Sequence, residues 1–125
     1  YNEESSKASG IPSGTVMAIS FEINGQTFNA LNGGPIFKFS EAVSFLINCD
    51  DQAEVDYYWE KLTDGGEESL CGWLKDKFGL SWQVVPAEMG KMMSSSDPEK
   101  SKRVMHEMLK MKKIDLNVLK DAFEK

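Results

Sequence analysis

The sequence predicts an α+β fold, and three observations carry that reading. Apolar and polar residues alternate over Thr15–Ile23, the period of a half-buried strand. Val55, Tyr58, Trp59 and Leu62 recur at i, i+3, i+4 and i+7, one face of a helix. The elements then run strand, strand, strand, helix, strand, strand, with a helical remainder. Helices are thus segregated rather than alternating with strands.

Each element has its local cause. Residues 2–14 are small and polar, with Gly10, Pro12 and Gly14 as breakers, and read as a loop. In Thr15–Ile23, Met17, Ile19, Phe21 and Ile23 share one face. Asn24-Gly25 tolerates the positive φ of a type I′ turn, so Gln26–Leu31 returns as a hairpin partner. Asn32-Gly33-Gly34-Pro35 breaks it, and Phe37-Lys38-Phe39 is a short amphipathic step. Val43–Cys49, rich in β-branched and aromatic residues, is a third strand. Asp50-Asp51 supplies the N-cap candidates of the next helix, with Glu54 three residues after Asp51 as a capping box, and Gly65-Gly66 ends it. Leu70–Lys75 and Leu80–Val85 are strands joined by the turn Asp76–Gly79, which lets Trp73 and Trp82 pair across it; Pro86 stops the second. Ala87–Met93 suits a short helix and Ser94–Ser96 a break. Asp97-Pro98-Glu99 starts a helix with a capping acid and proline in the first turn. Asp115 caps a last helix bearing Leu119, Ala122 and Phe123.

At 125 residues the chain is one domain in size and needs no disulfide or metal to stay folded. A net charge of −6 speaks against a nucleic-acid partner. No apolar run reaches the ~20 residues of a membrane helix, so no membrane partner is expected. No signal peptide opens the chain, and a cytoplasmic location is expected. The chain opens on Tyr1 rather than Met, which leaves room for an initiating stretch upstream. Residues 97–125 carry eight Lys/Arg against six Asp/Glu, whereas the residues before them carry six against fourteen. A basic tail on an acidic body suits docking on its own body or a partner's.

Cys49 and Cys71 read as reduced structural thiols. With His106 they are too few for a Cys/His zinc site, and His106 in a Met/Lys-rich helix is a poor member of a Ser-His-Asp triad. Asp50, Asp51, Glu54, Asp56 and Glu60 read as a capped, solvated helix face rather than a metal site. Six of the seven methionines lie between Met89 and Met111. They are either an adaptable partner surface or the packing of the tail on its own domain. Trp73 and Trp82 are either cross-strand packing or the wall of a ligand pocket. Asn32-Gly33-Gly34-Pro35 is the nearest approach to a glycine-rich cofactor loop, but Phe37-Lys38-Phe39 does not open a helix after it.

Several runs resemble the PhnB-like branch of the vicinal oxygen chelate superfamily, often labelled 3-demethylubiquinone 3-methyltransferase-like. They are Phe28–Pro35 with Phe37-Lys38-Phe39, Asp56–Leu62, Cys71–Asp76 and Gly79–Pro86. The superfamily also holds glyoxalase I, extradiol dioxygenases, and bleomycin and fosfomycin resistance proteins. The resemblance implies two βαβββ modules, each curling a sheet around a cavity. The second is complete, its remaining strand lying near Glu67 or in the tail. The first shows only its last hairpin, with no counterpart of the upstream strand and helix. The implied domains are 1–96, vicinal oxygen chelate-like, and 97–125, a helical C-terminal extension.

In metal-using superfamily members, His or Glu stands at positions that fall here on Gln83 and Ser44, with a third near Ala30 or Asn32. Neither Gln83 nor Ser44 is a usual divalent-metal ligand. The resemblance therefore implies the cavity without a catalytic metal or other cofactor. Ser44, Asn48, Gln83, Asn32, Trp73 and Trp82 are its expected lining. The partner expected there is a small-molecule ligand, with a homodimer as the assembly. The alternative is an enzyme, either a 3-demethylubiquinone 3-methyltransferase-like protein or a metal-dependent lyase, isomerase or dioxygenase.

Overall fold

The computed structural model describes residues 1–125. The chain divides into two units, Tyr1–Lys38 and Phe39–Lys125. The helices beyond Asp97 belong to the second.

The first unit begins with α1 (Glu3–Ser9), where the sequence suggests a loop. The helix forms because Asn2 and Ser5 exchange side-chain and main-chain hydrogen bonds in a capping box, Glu3 and Glu4 occupy the first turn, and Gly10 closes the end at φ 78°. Strands β1 (Ala18–Ile23) and β2 (Gln26–Leu31) then form an antiparallel hairpin in which Phe21 faces Phe28. Asn24 and Gly25 turn it at φ 50° and 79°, the positive pair that the sequence predicts. The strand starts at Ala18 rather than Thr15. Ile19, Phe21, Ile23 and Leu31 are all exposed, so this unit has no core of its own.

The second unit runs β3 (Ser44–Cys49), α2 (Gln52–Thr63), β4 (Glu67–Glu68), β5 (Trp73–Lys75) and β6 (Ser81–Pro86). Its sheet has the order β3-β6-β5-β4, with β3 parallel to β6 and the other pairs antiparallel. Asp51 caps α2 by accepting from the Glu54 N–H at 2.9 Å. Glu54 reaches one residue further back than a capping box requires and accepts the Asp50 N–H at 2.6 Å. Val55, Tyr58, Trp59 and Leu62 pack on one sheet face against Ile47, Cys49, Leu74, Trp82 and Val84. Each fully buried aliphatic side chain there contributes roughly 1.5–3 kcal/mol. The strand expected from Leu70 begins only at Trp73, because Cys71 and Gly72 are left-handed, at φ 58° and 83°. A Cβ on Gly72 would stand 2.9 Å from the Val84 carbonyl oxygen, so glycine is required there.

The tail forms α3 (Ala87–Met93), α4 (Pro98–Met108) and α5 (Leu116–Glu124). Met92, Val104, Ile114, Leu116 and Leu119 make a second core, joined by Met89, Met93, Met108, Met111 and Phe123. Five of the six clustered methionines therefore pack within the chain; Met105 is 38% exposed. Arg103 on α4 ties the end of α5, donating to the Ala122 carbonyl at 2.8 Å and to those of Phe123 and Lys125. The tail is fastened to the sheet by main-chain bonds from Cys71 N–H to Met111 O and from Gly72 N–H to Lys112 O, both 2.8 Å. Lys113 adds an ion pair with Asp56 at 2.9 Å. No helix is long and apolar enough to cross a membrane.

Candidate functional site

Strand alternation gives the four-stranded sheet two faces. One is covered by α2. The register places on the other a row of Ser44, Ser81, Lys75 and Glu67, a second of Leu46, Gln83 and Trp73, and then Asn48 and Val85. Gln83 joins the outer strand directly, its amide Nε2 donating to the Ser44 hydroxyl at 3.0 Å. Asn48 is exposed and Trp73 half-buried.

A pocket of about 220 Å³ opens on this face, with Glu41, Glu67, Trp73, Lys75 and Ser81 in its lining. Lys75 and Glu41 form an ion pair there. Their mutual hydrogen bond and charge hold the Glu41 carboxyl below its ordinary range and the Lys75 ammonium above its own, so both are charged at neutral pH. Ser81 is 1% exposed, and its hydroxyl has no hydrogen-bond partner. An unpaired buried hydroxyl costs about 1–3 kcal/mol, so its persistence calls for an explanation.

Ser44, Gln83, Trp73 and Asn48 thus share a face. Trp82 does not. It lies on the α2 face, its indole N–H donating to Asp76 Oδ2 at 2.9 Å and its ring meeting Phe45 edge-on at 5.3 Å. Trp73 stands opposite Gln83, and Trp82 opposite Leu74, so the cross-turn tryptophan pair is not formed. Asn32 belongs to the first unit, where its side chain donates to the Val16 carbonyl at 3.1 Å and its own carbonyl accepts from the Tyr1 hydroxyl. Ser81 follows from Gln83 by a step of two along the strand, whereas Lys75 and Glu67 join the site through a cross-strand register that the turn after Lys75 sets. Glu41 reaches the site from a loop and leaves no periodic signal.

A divalent metal, which the superfamily resemblance brings into question, does not fit this donor set. Gln83 and Ser44 are neutral and hydrogen-bonded to each other, and no three His, Cys, Asp or Glu side chains are arranged to hold a metal ion. The acidic start of α2 is used structurally: Asp51 caps, Glu54 takes the Asp50 N–H, and Asp56 pairs with Lys113. Nor does a nucleoside methyl donor find a phosphate-type cradle, since Gly33-Gly34-Pro35 leads into bends and the next helix starts at Gln52. Cys49, fully buried, has its thiol pushed up to about 11 by burial first and then by Glu54, Asp50 and Asp51. It is no nucleophile. His106 is exposed on α4, away from the sheet residues of the site.

This mixed α+β architecture is that of a defined class of proteins. The chain is a member of the 3-demethylubiquinone-9 3-methyltransferase family, whose pattern matches residues 1–85. Among solved structures it is similar to the PhnB protein of Bacillus cereus, which carries the same methyltransferase label. The two share 32% identity over 61% of this chain and 68% of that one, with a TM-score of 0.56. Protein PA1353 of Pseudomonas aeruginosa is also similar, at 20% identity and a TM-score of 0.49, over 57% of this chain and 62% of that one. No functionally curated protein matches.

Proposed function

We propose that this chain is a small-molecule-binding member of the family and works without a catalytic metal. Its β3-α2-β4-β5-β6 segment is read as one vicinal oxygen chelate module, and the sheet face away from α2 as its ligand surface. The observation that carries the reading is the hydrogen bond between Gln83 and Ser44. It sets a neutral, mutually bonded pair at the positions where the resemblance puts the ligands of metal-using superfamily members. The remaining Gln83 carbonyl and the Ser44 O–H can still accept and donate to a polar ligand, and Trp73 supplies an apolar wall. A reducing, cytoplasmic setting accords with the two free thiols.

Native mass spectrometry of the purified protein tests this, with elemental analysis of the same sample. A co-purifying metabolite that is lost in Gln83→Leu supports the reading. Stoichiometric zinc, nickel or manganese, abolished by Gln83→Ala, overturns it. The family description favours a second reading, methyl transfer to a demethylated quinol. Transfer of labelled methyl to such an acceptor, lost on changing Gln83, would replace the binding reading.

The assembly belongs to the same proposal. A two-stranded hairpin cannot be stable alone, and β1–β2 exposes Ile19, Phe21 and Ile23 on one face. A second copy of this chain is the proposed cover. Sedimentation equilibrium at micromolar concentration reads it directly, and a mass near 14.0 kDa ends the dimer.

A further inference from the structure

The pocket on the open sheet face has a charge imbalance and an unmet hydrogen bond in one row of residues. Ser81 lies between Ser44 and Lys75, and Lys75 lies opposite Glu67. Lys75 is engaged by Glu41. Three carboxylates, Glu41, Glu67 and Glu68, therefore line the pocket with Lys75 as its one ammonium; Glu41 pairs with Lys75 and Glu68 accepts the Trp59 indole N–H at 2.8 Å, which leaves the Glu67 charge in excess. Beside it stands the Ser81 hydroxyl, 1% exposed and without a partner. Trp73 adds an aromatic surface in the same pocket. An anionic ligand would meet three carboxylates and find the pocket's one cation already paired. A neutral apolar ligand would leave both the charge and the hydroxyl unanswered.

Resting on the reading of this face as a ligand surface, we propose that the ligand bears a compact cationic head group with N–H donors, a primary or secondary ammonium. It is seated between the Glu67 carboxylate, the Ser81 hydroxyl oxygen and the Trp73 ring. Carboxylate and hydroxyl accept its N–H groups, and the ring face attracts the cation. The remainder of the ligand extends along the second row toward Gln83 and Ser44. The Glu41–Lys75 pair closes one side of the pocket and sets how large the head group can be.

The test titrates the full chain with three aromatic probes of similar size, benzylammonium, benzyl alcohol and benzoate, by calorimetry with tryptophan fluorescence in parallel. Benzylammonium is expected to bind at least tenfold tighter than benzyl alcohol, and benzoate not to bind. Glu67→Gln should weaken benzylammonium at least tenfold while leaving benzyl alcohol unchanged. Ser81→Ala should weaken benzylammonium without lowering the melting temperature, since it removes an unpaired hydroxyl. Should benzyl alcohol or benzoate bind as tightly as benzylammonium, or should Glu67→Gln have no effect, the head-group assignment falls. The ligand face then survives if Gln83→Leu weakens whichever probe binds. Silence from all three probes overturns both.

Discussion

Gln52 is the side chain with which the sheet unit holds main-chain groups of its own tail. Its Oε1 accepts the Leu116 N–H at 2.7 Å, and its Nε2 donates to the Ile114 carbonyl and to Asp56 Oδ1, both at 2.9 Å. Ile114 is fully buried and Leu116 is 5% exposed. Gln52→Ala leaves two main-chain groups without partners at residues that are themselves buried. Each orphaned group costs about 1–3 kcal/mol. Gln52 is only half-buried, so water can partly replace it, and the sum falls at about 2–4 kcal/mol. That is a large share of the roughly 5–15 kcal/mol of a whole domain. Urea denaturation followed by circular dichroism gives the loss, and hydrogen exchange locates it. The amides of Cys71, Gly72 and Leu116–Leu119 should exchange faster together, because all depend on the docked tail. Gln52→Glu separates the two bonds. The introduced carboxylate still accepts from Leu116 but cannot donate to Ile114, and it faces Asp56. Its deficit should therefore shrink as pH falls from 7 to 5 and the carboxyl becomes a donor, whereas that of Gln52→Ala stays flat. A loss below about 0.5 kcal/mol in Gln52→Ala, within the range of ordinary surface substitutions, would refute the reasoning, as would unchanged exchange at Leu116–Leu119.

Three further outcomes follow from the same geometry. Gly66→Ala drives a Cβ into the Lys75 carbonyl oxygen and should cost about 3 kcal/mol, read as a fall in melting temperature. In native protein only Cys71 should react with a thiol reagent at pH 8, because Cys49 is fully buried with its thiol pushed up to about 11; denatured, unreduced protein should titrate two thiols. The Asp56 carboxyl is held below its ordinary range, by the hydrogen bond it accepts from Lys113 first and then by that from Gln52. A group depressed on folding stabilises at pH above its unfolded value and loses that contribution as pH falls through the folded one. Tail docking should therefore weaken below about pH 4, by no more than ~1 kcal/mol for so exposed a pair, and Asp56→Asn should remove that pH dependence.

Where a signal was local, the sequence carried it. Asn24-Gly25, Asp51, Asp97-Pro98 and Asp115 mark a turn and three helix starts through groups that act within four residues, and all stand where the pattern puts them. The apolar face Val55, Tyr58, Trp59 and Leu62 is likewise the packed one. What escaped was either too short or too distant. The seven-residue helix α1 has no apolar period, and only the Asn2–Ser5 exchange announces it. The late start of β5 reflects left-handed Cys71, a conformation that no propensity assigns to cysteine. The methionine cluster gave no means of telling a partner surface from a self-packed tail. Ile114 decides for packing, because it is buried where Gln52, Cys71 and Gly72 reach the tail by hydrogen bonds.

The site turned on a single residue of register. A four-residue turn at Asp76–Gly79 would set Lys75 opposite Leu80 and bring Trp73 opposite Trp82. In the folded chain Leu80 still belongs to the turn. Asp76 N–H donates to the Leu80 carbonyl at 2.9 Å, while Asp76 Oδ1 accepts from the N–H groups of Phe78 and Leu80 at 2.9 and 3.0 Å. The loop is thereby one residue longer, and Lys75 pairs with Ser81. A shift of one residue turns every side chain of one strand to the other face relative to its partner strand. Trp82 therefore goes to the α2 core, its indole N–H held by the same Asp76, and Gln83 comes opposite Trp73. Asp76 is thus a positioning residue for the proposed ligand face, which it does not touch. Its carboxylate sets the loop length, the loop length sets the register, and the register assembles Ser81, Lys75, Gln83 and Trp73 on one surface.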